Sequence, residues 1–198
     1  MVKTYANPDG RFDELFAGKG VPRAHWSRLY STLASATADE IGAMRVAAER
    51  QIRESGVTYN VYADPKGHDR PWDLDVLPFI IDSHEWQGIE AGIAQRATLL
   101  NRILGDLYGP QLTMREGLIP PPLVFSHGGF LRPAHGAAVP GDVHLHVYAA
   151  DLARSPDGRW WVMNDRTQAA SGAGYALENR LLVSRTFPKL YRDMRVQH

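Results

Sequence analysis

The sequence predicts an α/β chain of the α+β kind, in which a helical first half packs on a small antiparallel sheet. Two observations predict this division. Apolar residues recur at three-to-four-residue spacing before a Pro/Gly-dense stretch, as in amphipathic helices, whereas β-branched and aromatic residues flank a turn after it. We expect a single domain over residues 1–198, with these parts in order: 1–55 helical; 56–116 a strand and a long helix; 117–142 the Pro/Gly loop; 143–198 a hairpin, a polar loop and terminal helices.

Composition excludes several classes of protein. The chain has 22 Lys and Arg residues against 22 Asp and Glu residues, and it has no cysteine. Disulfide scaffolds and cysteine-ligated zinc sites are therefore excluded, and the balanced charge lacks the basic excess of nucleic-acid binders. No apolar run approaches the ~18 residues of a membrane span, and the opening residues lack a signal-peptide pattern. We expect a cytoplasmic protein that binds neither nucleic acid nor membrane.

Two helices are predicted ahead of Gly56. Pro22 suits a first helical turn, and Leu29 belongs to an apolar stripe that continues through this helix. Thr37 and Glu40 have the spacing of a capping box, in which each side chain accepts a hydrogen bond from the other residue's backbone N–H. A second helix should therefore follow to about residue 54, where Gly56 ends it.

A strand and the longest helix are predicted next. Residues 56–64 alternate β-branched and aromatic side chains, which indicates a strand. Asp82 and Glu85 form a second capping signature, and apolar side chains then recur over residues 83–107 until Gly109. This segment should be one long helix with a single apolar side.

Residues 141–165 have the pattern of a β-hairpin. Two β-rich runs flank the turn at residues 155–158, which contains Pro, Asp and Gly. A four-residue connection leaves the register open by one residue. Whether Asp151 shares a face with Asn164 therefore does not follow from the sequence.

The densest polar cluster follows the second hairpin strand, over residues 164–180. Carboxylate, amide and guanidinium groups surround a small Gly/Ser/Ala loop there. Oxygen ligands at a strand end suit Mg²⁺, and the loop N–H groups or the guanidinium of Arg166 or Arg180 suit a phosphate or carboxylate. The alternative is a turn ion pair between Asp165 and Arg166, followed by an exposed first turn of helix.

Two further sets of polar residues have alternative interpretations. His144 and His146 are two apart on the predicted strand and would share one face, where His127 and His135 could complete a metal site. The alternative is partly buried or substrate-facing histidines. The other set can line a groove or form a solvated face: Asp73, Asp75, Gln95, Arg96, Asn101 and Arg102. Phosphate-loop, nucleophile-elbow and dinucleotide-binding motifs are absent.

Several segments in succession resemble the start of circularly permuted ATP-grasp proteins, which are bacterial relatives of glutathionylspermidine synthetase. They are GVTYNVYAD, DLDVLPFII, GIAQRATLLNRILGDLYGPQ, GLIPPPLVFSHGGFLRP, HLHVYAADLARSPDGRWWVMNDR and SGAGYALENRLLVSRTFP. The resemblance implies a partial permuted ATP-grasp fold. It also implies a ligase that activates a peptide-like or amino-acid carboxylate as an acyl phosphate, with ATP and Mg²⁺, and couples it to an amine.

The resemblance also assigns residues, with departures from the family pattern. Many members read Glu-Asp-Asn-Leu-Arg-x-Pro-Ser-Gly at residues 164–172, where this chain replaces the Glu, the Asn and the Arg by Asn164, Arg166 and Gln168. The implied roles are metal binding by Asp165 and Asn164; catalytic contacts by Arg166, Gln168 and Arg180; nucleotide contacts by Ser171, Gly172, Glu178 and Asn179; and a substrate contact by Arg132. The substitutions leave three alternatives open: the ligase, a non-catalytic peptide-binding or assembly module, and a metal-dependent hydrolase based on the histidines. Within the first, the phosphate site can be rearranged so that Arg166 replaces a magnesium charge.

In this family the lysines that cradle the nucleotide come later in the chain than the metal-binding part. The resemblance therefore implies that residues 1–198 are an N-terminal fragment, and that the missing C-terminal part is a partner of the fold. We expect no cofactor on this fragment alone and no catalysis by it. The surface left uncovered should favour self-association.

Overall fold

The structure, a computed structural model, describes residues 7, 10–18, 20–56, 58–59, 70–71 and 74–196. The α-helices are α1 Ser27–Ser35, α2 Ala38–Ser55, α3 Ser83–Leu107, α4 Leu112–Arg115, α5 Pro121–Phe125, α6 Ala173–Thr186 and α7 Pro188–Asp193. The strands are β1 Phe16–Gly18, β2 Val21–Pro22, β3 Thr58–Tyr59, β4 Arg70–Pro71, β5 Ala149–Arg154 and β6 Trp160–Arg166. The strands form three two-stranded antiparallel pairs, β1–β2, β3–β4 and β5–β6. Helices with small antiparallel sheets confirm the predicted α+β class.

The prediction that Pro22 opens the first helix is wrong. Pro22 belongs to β2, where it lies opposite Phe16, and the backbone N–H of Arg23 donates to the carbonyl of Leu15. This pairing holds the chain extended until the short 3-10 helix Ala24–Trp26, after which α1 begins. The apolar stripe is present nevertheless, because Leu29 is fully buried.

The capping box of α2 is confirmed. The Thr37 hydroxyl accepts from the Glu40 backbone N–H at 3.2 Å, and the Glu40 carboxylate accepts from the Thr37 N–H at 2.7 Å. At the other end Gly56 adopts φ 67°, a left-handed conformation that glycine tolerates without a steric penalty. The helix therefore begins and ends where the sequence predicts.

Helix α3 has its predicted bounds, and side chains near its end fix the segments that follow. Asp106 accepts hydrogen bonds from the backbone N–H groups of Leu112 and Thr113, at 2.8 and 2.9 Å, and so caps α4. Within the predicted Pro/Gly loop, residues 121–125 form the short helix α5, which has proline at its start. Of the predicted strand 56–64, β3 is described and the remainder lies outside the described residues, apart from Gly56.

The predicted start of the hairpin is wrong by several residues. β5 begins at Ala149, so His144 and His146 precede the strand. The side chain of Asn101, on α3, binds this segment instead: its Oδ1 accepts from the N–H groups of His144 and Leu145, both at 2.8 Å, and its Nδ2 donates to the Asp142 carbonyl. These backbone groups are satisfied without a partner strand.

The register of the β5–β6 hairpin shows that Asp151 and Asn164 share a face, which the length of the turn left open. Asp151 lies directly opposite Asn164, and a bulge between Asp151 and Leu152 lets the pairing resume with Leu152 opposite Val162. Met163 is the extra residue of β6 at this point. Such a bulge changes which alternate residues share a face.

The chain divides into two compact units. The first comprises residues 1–82 and 171–198, and the second comprises residues 83–170. In the first unit α2 packs on α6, burying side chains that include Ala48, Ile52 and Leu182. Within the described part of the second unit only Met114 and Val124 are buried apolar residues. The expectation of a single domain remains a prediction.

Across the described residues, no helix combines the length and the apolar character that crossing a bilayer requires.

Candidate functional site

The inner face of the β5–β6 hairpin, defined as the face that contacts α3, carries a carboxylate bound by two side chains. Arg96 of α3 donates from Nε to Oδ1 of Asp165 at 2.6 Å and from Nη2 to Oδ2 at 2.7 Å. The hydroxyl of Tyr148 donates to Oδ1 at 2.5 Å. Bidentate geometry of this kind fixes both the position and the orientation of a guanidinium. Both oxygens of Asp165 are thus occupied from within the same unit.

These contacts shift the pKa values of all three groups. The hydrogen bonds from Arg96 and then from Tyr148 lower the pKa of Asp165 to about 2. The same ion pair raises the pKa of Arg96 above its usual range. Burial, and then the bond to Asp165, raises the pKa of Tyr148, so its hydroxyl remains a donor. At neutral pH the cluster holds one negative and one positive charge.

The outer face of the hairpin, opposite to the inner face, carries a second carboxylate with a guanidinium beside it. Arg166 donates to Asp151 from Nε at 3.2 and 3.1 Å and from Nη2 at 2.9 Å, and Asn164 Nδ2 donates to Asp151 Oδ2 at 3.3 Å. Arg166, and then Asn164, lower the pKa of Asp151. Residues 164, 165 and 166 alternate between the faces because successive strand side chains point in opposite directions. The polar run that forms one cluster in the sequence is therefore two clusters in the fold.

The hairpin is tied to α3 by a further ion pair. Arg154, whose side chain is 8% exposed, donates to both carboxylate oxygens of Glu85 at 2.6 and 2.7 Å. Its guanidinium also lies over the ring of Trp160, 4.2 Å from the centroid, in cation–π geometry. A groove of about 770 Å³ runs beside this pair, lined by residues that include Gly92 of α3 and Val162 of β6.

The remaining predicted site residues lie elsewhere. Gln168 is in the exposed segment that follows β6. Arg132 is exposed in a short 3-10 helix, with its guanidinium 5.5 Å from the ring centroid of Phe125. The other five belong to the first unit: Ser171, Gly172, Glu178, Asn179 and Arg180. Gly172 precedes α6 with φ 105°, a conformation that favours glycine. That these residues adjoin Asp165 remains a prediction, since Asp165 belongs to the second unit.

The residues predicted to bind metal do not fit Mg²⁺ as they stand. Asn164 and Asp165 point to opposite faces of β6, so they cannot ligate one ion together. Each carboxylate of the two clusters already has a guanidinium against it, and a guanidinium cannot ligate a cation. Mg²⁺ needs octahedral oxygen ligands. Each face of the hairpin end offers Mg²⁺ a single carboxylate, and an arginine already neutralises that carboxylate.

The four histidines do not form a metal site either. Among the described residues, which include all four, no group of three or more His, Asp or Glu side chains could hold a metal ion. His135 Nε2 lies 2.9 Å from the carbonyl of Gly109, and the ring of His144 lies over Gly105. The convergence that the hydrolase alternative requires is absent from this part of the chain.

Sequence reasoning misses the pairings of both clusters. By sequence Arg96 groups with other polar residues of α3 as one side of a groove, and Tyr148 is only part of a strand. From the sequence, Asp151 is considered because the hairpin register is open at that point, and not because of its charge. The available signal is the presence of one acidic residue on each hairpin strand, at the end away from the turn. Such placement indicates that each carboxylate can approach a basic side chain, and the register then decides on which face it does so.

Comparison with known proteins gives the following matches. The model of a family described as circularly permuted ATP-grasp type 2 matches residues 78–198. The uncharacterized protein Rv2567 of Mycobacterium tuberculosis is 37% identical over 195 residues, which cover 94% of this chain and 22% of that protein. The uncharacterized protein sll0335 of Synechocystis is 35% identical over 191 residues, covering 96% of this chain and 40% of that protein. The chain thus spans less than half the length of each of these two relatives.

Proposed function

The chain belongs to the circularly permuted ATP-grasp type 2 family, and from this premise we propose that it is the N-terminal part of an ATP-dependent carboxylate–amine ligase. ATP-grasp proteins generally use ATP and Mg²⁺. The intact protein would activate a peptide-like or amino-acid carboxylate as an acyl phosphate and transfer it to an amine, in the cytoplasm. The observation that carries the proposal is the family match, which includes the whole hairpin and the polar segment after it.

The roles of the chain's own residues are electrostatic. Arg166, Gln168 and Arg180 would contact the phosphates or the acyl phosphate, where fixed positive charge stabilises the charge that develops on transfer. Arg166 suits this role because its side chain is 56% exposed and its Nη1 binds no other described residue. Arg132 would hold the substrate carboxylate. No covalent nucleophile is needed, since positioning and electrostatics carry phosphoryl transfer.

The nucleotide contacts of this chain would come from the start of α6. Ser171 and Gly172 would supply hydroxyl or backbone donors, and Glu178 and Asn179 would follow one or two turns later in the helix. The remaining contacts, including the lysines that cradle the phosphates, would come from a C-terminal part. By itself the chain would be inactive, and the surface that this part covers would favour self-association.

A second candidate function is a non-catalytic module that binds a peptide or a partner. The pairing of Asp151 with Arg166, and of Asp165 with Arg96, favours it, because both carboxylates of the hairpin end are neutralised. This module would keep the ATP-grasp fold and would release no ADP.

The test uses a fusion protein in which residues 1–198 are followed by the C-terminal part of one of the longer relatives. Its release of ADP is assayed. The ligase proposal predicts ADP release that depends on both a carboxylate and an amine, and a loss of most of that activity in Arg166→Ala. Arg53→Ala is the matched control, because it removes the same charge from the exposed surface of α2, where no described carboxylate pairs with it. A folded, substrate-binding protein that releases no ADP would support the non-catalytic module.

A further inference from the structure

The outer face of the hairpin end brings together one carboxylate, one amide and one guanidinium. Asp151 lies opposite Asn164 in the register, and Arg166 follows two residues later on the same face. Asn164 and Arg166 both donate to the carboxylate of Asp151, at 3.3 Å and at 2.9 to 3.2 Å. The three side chains are therefore within reach of one bound ion.

The charge of this set opposes a bound cation. Asp151 contributes one negative charge and Arg166 one positive charge, so the sum at neutral pH is zero. Mg²⁺ and Mn²⁺ in proteins are held by carboxylate and carbonyl oxygens, and a guanidinium offers only donors. A divalent cation would have to displace Arg166 from both oxygens of Asp151.

Displacing the guanidinium would not remove its charge. An exposed ion pair contributes little stability by itself, and Arg166 and Asp151 are 56% and 45% exposed. The backbone of Arg166 is nevertheless fixed in β6, about 7 Å along the strand from Asn164, so its charge stays beside any ion bound there. The exclusion of a divalent cation therefore rests on the position of Arg166 in the strand and not on the strength of its ion pair with Asp151.

Among the described residues, the inner face offers no alternative site. Both oxygens of Asp165 accept hydrogen bonds from Arg96, which lies on α3, and one of them also accepts from Tyr148. The same arrangement, a carboxylate with a guanidinium across both oxygens, thus occurs on each face.

We infer that Arg166 takes the place of a divalent cation on the outer face of the hairpin. Its guanidinium neutralises Asp151 and excludes Mg²⁺, and its removal converts the face into a cation site. The inference rests on the proposed function only in choosing this hairpin end as part of the site. It implies that any Mg²⁺ that arrives with a nucleotide is held by other groups.

The test is direct binding of Mn²⁺ to the chain of residues 1–198 at neutral pH, without nucleotide, followed by the electron paramagnetic resonance signal of free Mn²⁺. The unsubstituted chain should leave the signal unchanged at millimolar Mn²⁺. Arg166→Asn leaves a carboxylate and two amides on one face, with a net charge of −1. This variant should bind Mn²⁺ at least about tenfold more tightly than the unsubstituted chain does. Arg102→Asn is the control for the loss of one positive charge elsewhere, and it should behave as the unsubstituted chain.

A second variant identifies the gained site. In Asp151→Asn combined with Arg166→Asn the carboxylate is gone, and the gained binding should disappear. Circular dichroism verifies that each variant is folded. Two results would overturn the inference: Mn²⁺ binding by the unsubstituted chain that Asp151→Asn abolishes, or folded Arg166→Asn that binds no more tightly than Arg102→Asn. Neither result depends on ATP turnover, so failure of the ligase proposal remains distinguishable.

Discussion

Asp165 shows how a single side chain acquires its properties from residues distant in the chain. Its oxygens accept three hydrogen bonds, two of them from Arg96, which is 69 residues away. Asn164 and Arg166, its neighbours in β6, have a different partner on the other face. The chemistry of each residue is therefore set by the face to which it points.

The first prediction concerns acid stability. The pKa of Asp165 is lowered from 3.8 to about 2 in the folded chain. A depressed carboxyl pKa stabilises the fold above the unfolded value, and this contribution is lost as the pH falls through the folded value. The free energy of unfolding should therefore decrease between about pH 4 and pH 2, and it should decrease less in Asp165→Asn. Urea unfolding followed by tryptophan fluorescence measures it at each pH.

Tyr148→Phe serves as an intermediate case for this prediction. It removes the weaker of the two hydrogen-bond contributions to the lowered pKa of Asp165 and keeps Arg96 in place. Its pH dependence should lie between those of the unsubstituted chain and Asp165→Asn. Parallel curves for the unsubstituted chain and Asp165→Asn would show that the ion pair is absent in solution.

At the scale of elements, α3 organises the second unit through polar side chains. Glu85 binds Arg154 of β5, Arg96 binds Asp165 of β6, and Asn101 binds the backbone ahead of β5. These residues lie on a helix in which no described residue is fully buried. A two-stranded hairpin is marginally stable alone. The helix therefore stabilises the hairpin and fixes its orientation relative to α3.

The second prediction tests this role of α3. Asn101→Ala removes three hydrogen bonds to the backbone of residues 142–145, and we expect a loss of about 2 kcal/mol in the free energy of unfolding. The amides of His144 and Leu145 should exchange with solvent faster, since both lose their acceptor. Hydrogen-exchange mass spectrometry and urea unfolding measure the two effects.

Two substitutions control for changes in the helix itself. Asn101→Asp keeps the acceptor for both amides and should protect them nearly as well as asparagine. Thr98→Ala removes a hydroxyl whose partner, among the residues that the structure describes, is the Ala94 carbonyl of the same helix, so it should leave residues 142–145 unaffected. Unchanged exchange in Asn101→Ala would contradict the bridging role.

At the scale of the whole molecule, apolar surface remains uncovered on the hairpin. Trp161 is 51% exposed and Met163 is 67% exposed. In the described part of the second unit only Met114 and Val124 are buried apolar side chains. Hydrogen bonds and ion pairs of α3 side chains connect the helix to the hairpin and to the segment before it. This pattern accords with the proposal that further protein covers the hairpin.

The third prediction concerns nucleotide binding by the chain alone. An ATP-grasp protein holds its nucleotide between two parts of the fold, and we propose that one of them lies beyond this chain. The few donors left would not offset the translational and ordering cost of binding, so a Kd of about 1 mM or weaker is expected for ATP. Isothermal titration calorimetry is the measurement. Micromolar binding would require a complete nucleotide site within residues 1–198.

The sequence by itself determined the features that depend on neighbouring residues. The capping box at Thr37, the bounds of α3 and the turn of the hairpin all follow from contacts within a few positions along the chain, and all are present. It also identified residues 164–172 as a concentration of polar groups. It misplaced the start of β5, because Asn101, which lies far earlier in the chain on α3, satisfies the backbone there.

Only the tertiary structure decided how those polar groups are divided. A strand turns successive side chains to opposite faces, and the bulge between Asp151 and Leu152 shifts that alternation by one residue. No local pattern of residues fixes such a shift. Nor does any local pattern bring Arg96 to Asp165, because an ion pair between distant elements exists only once both have been positioned by packing. For this reason the sequence indicated where the candidate site lies, and the fold determined which charges face each other within it.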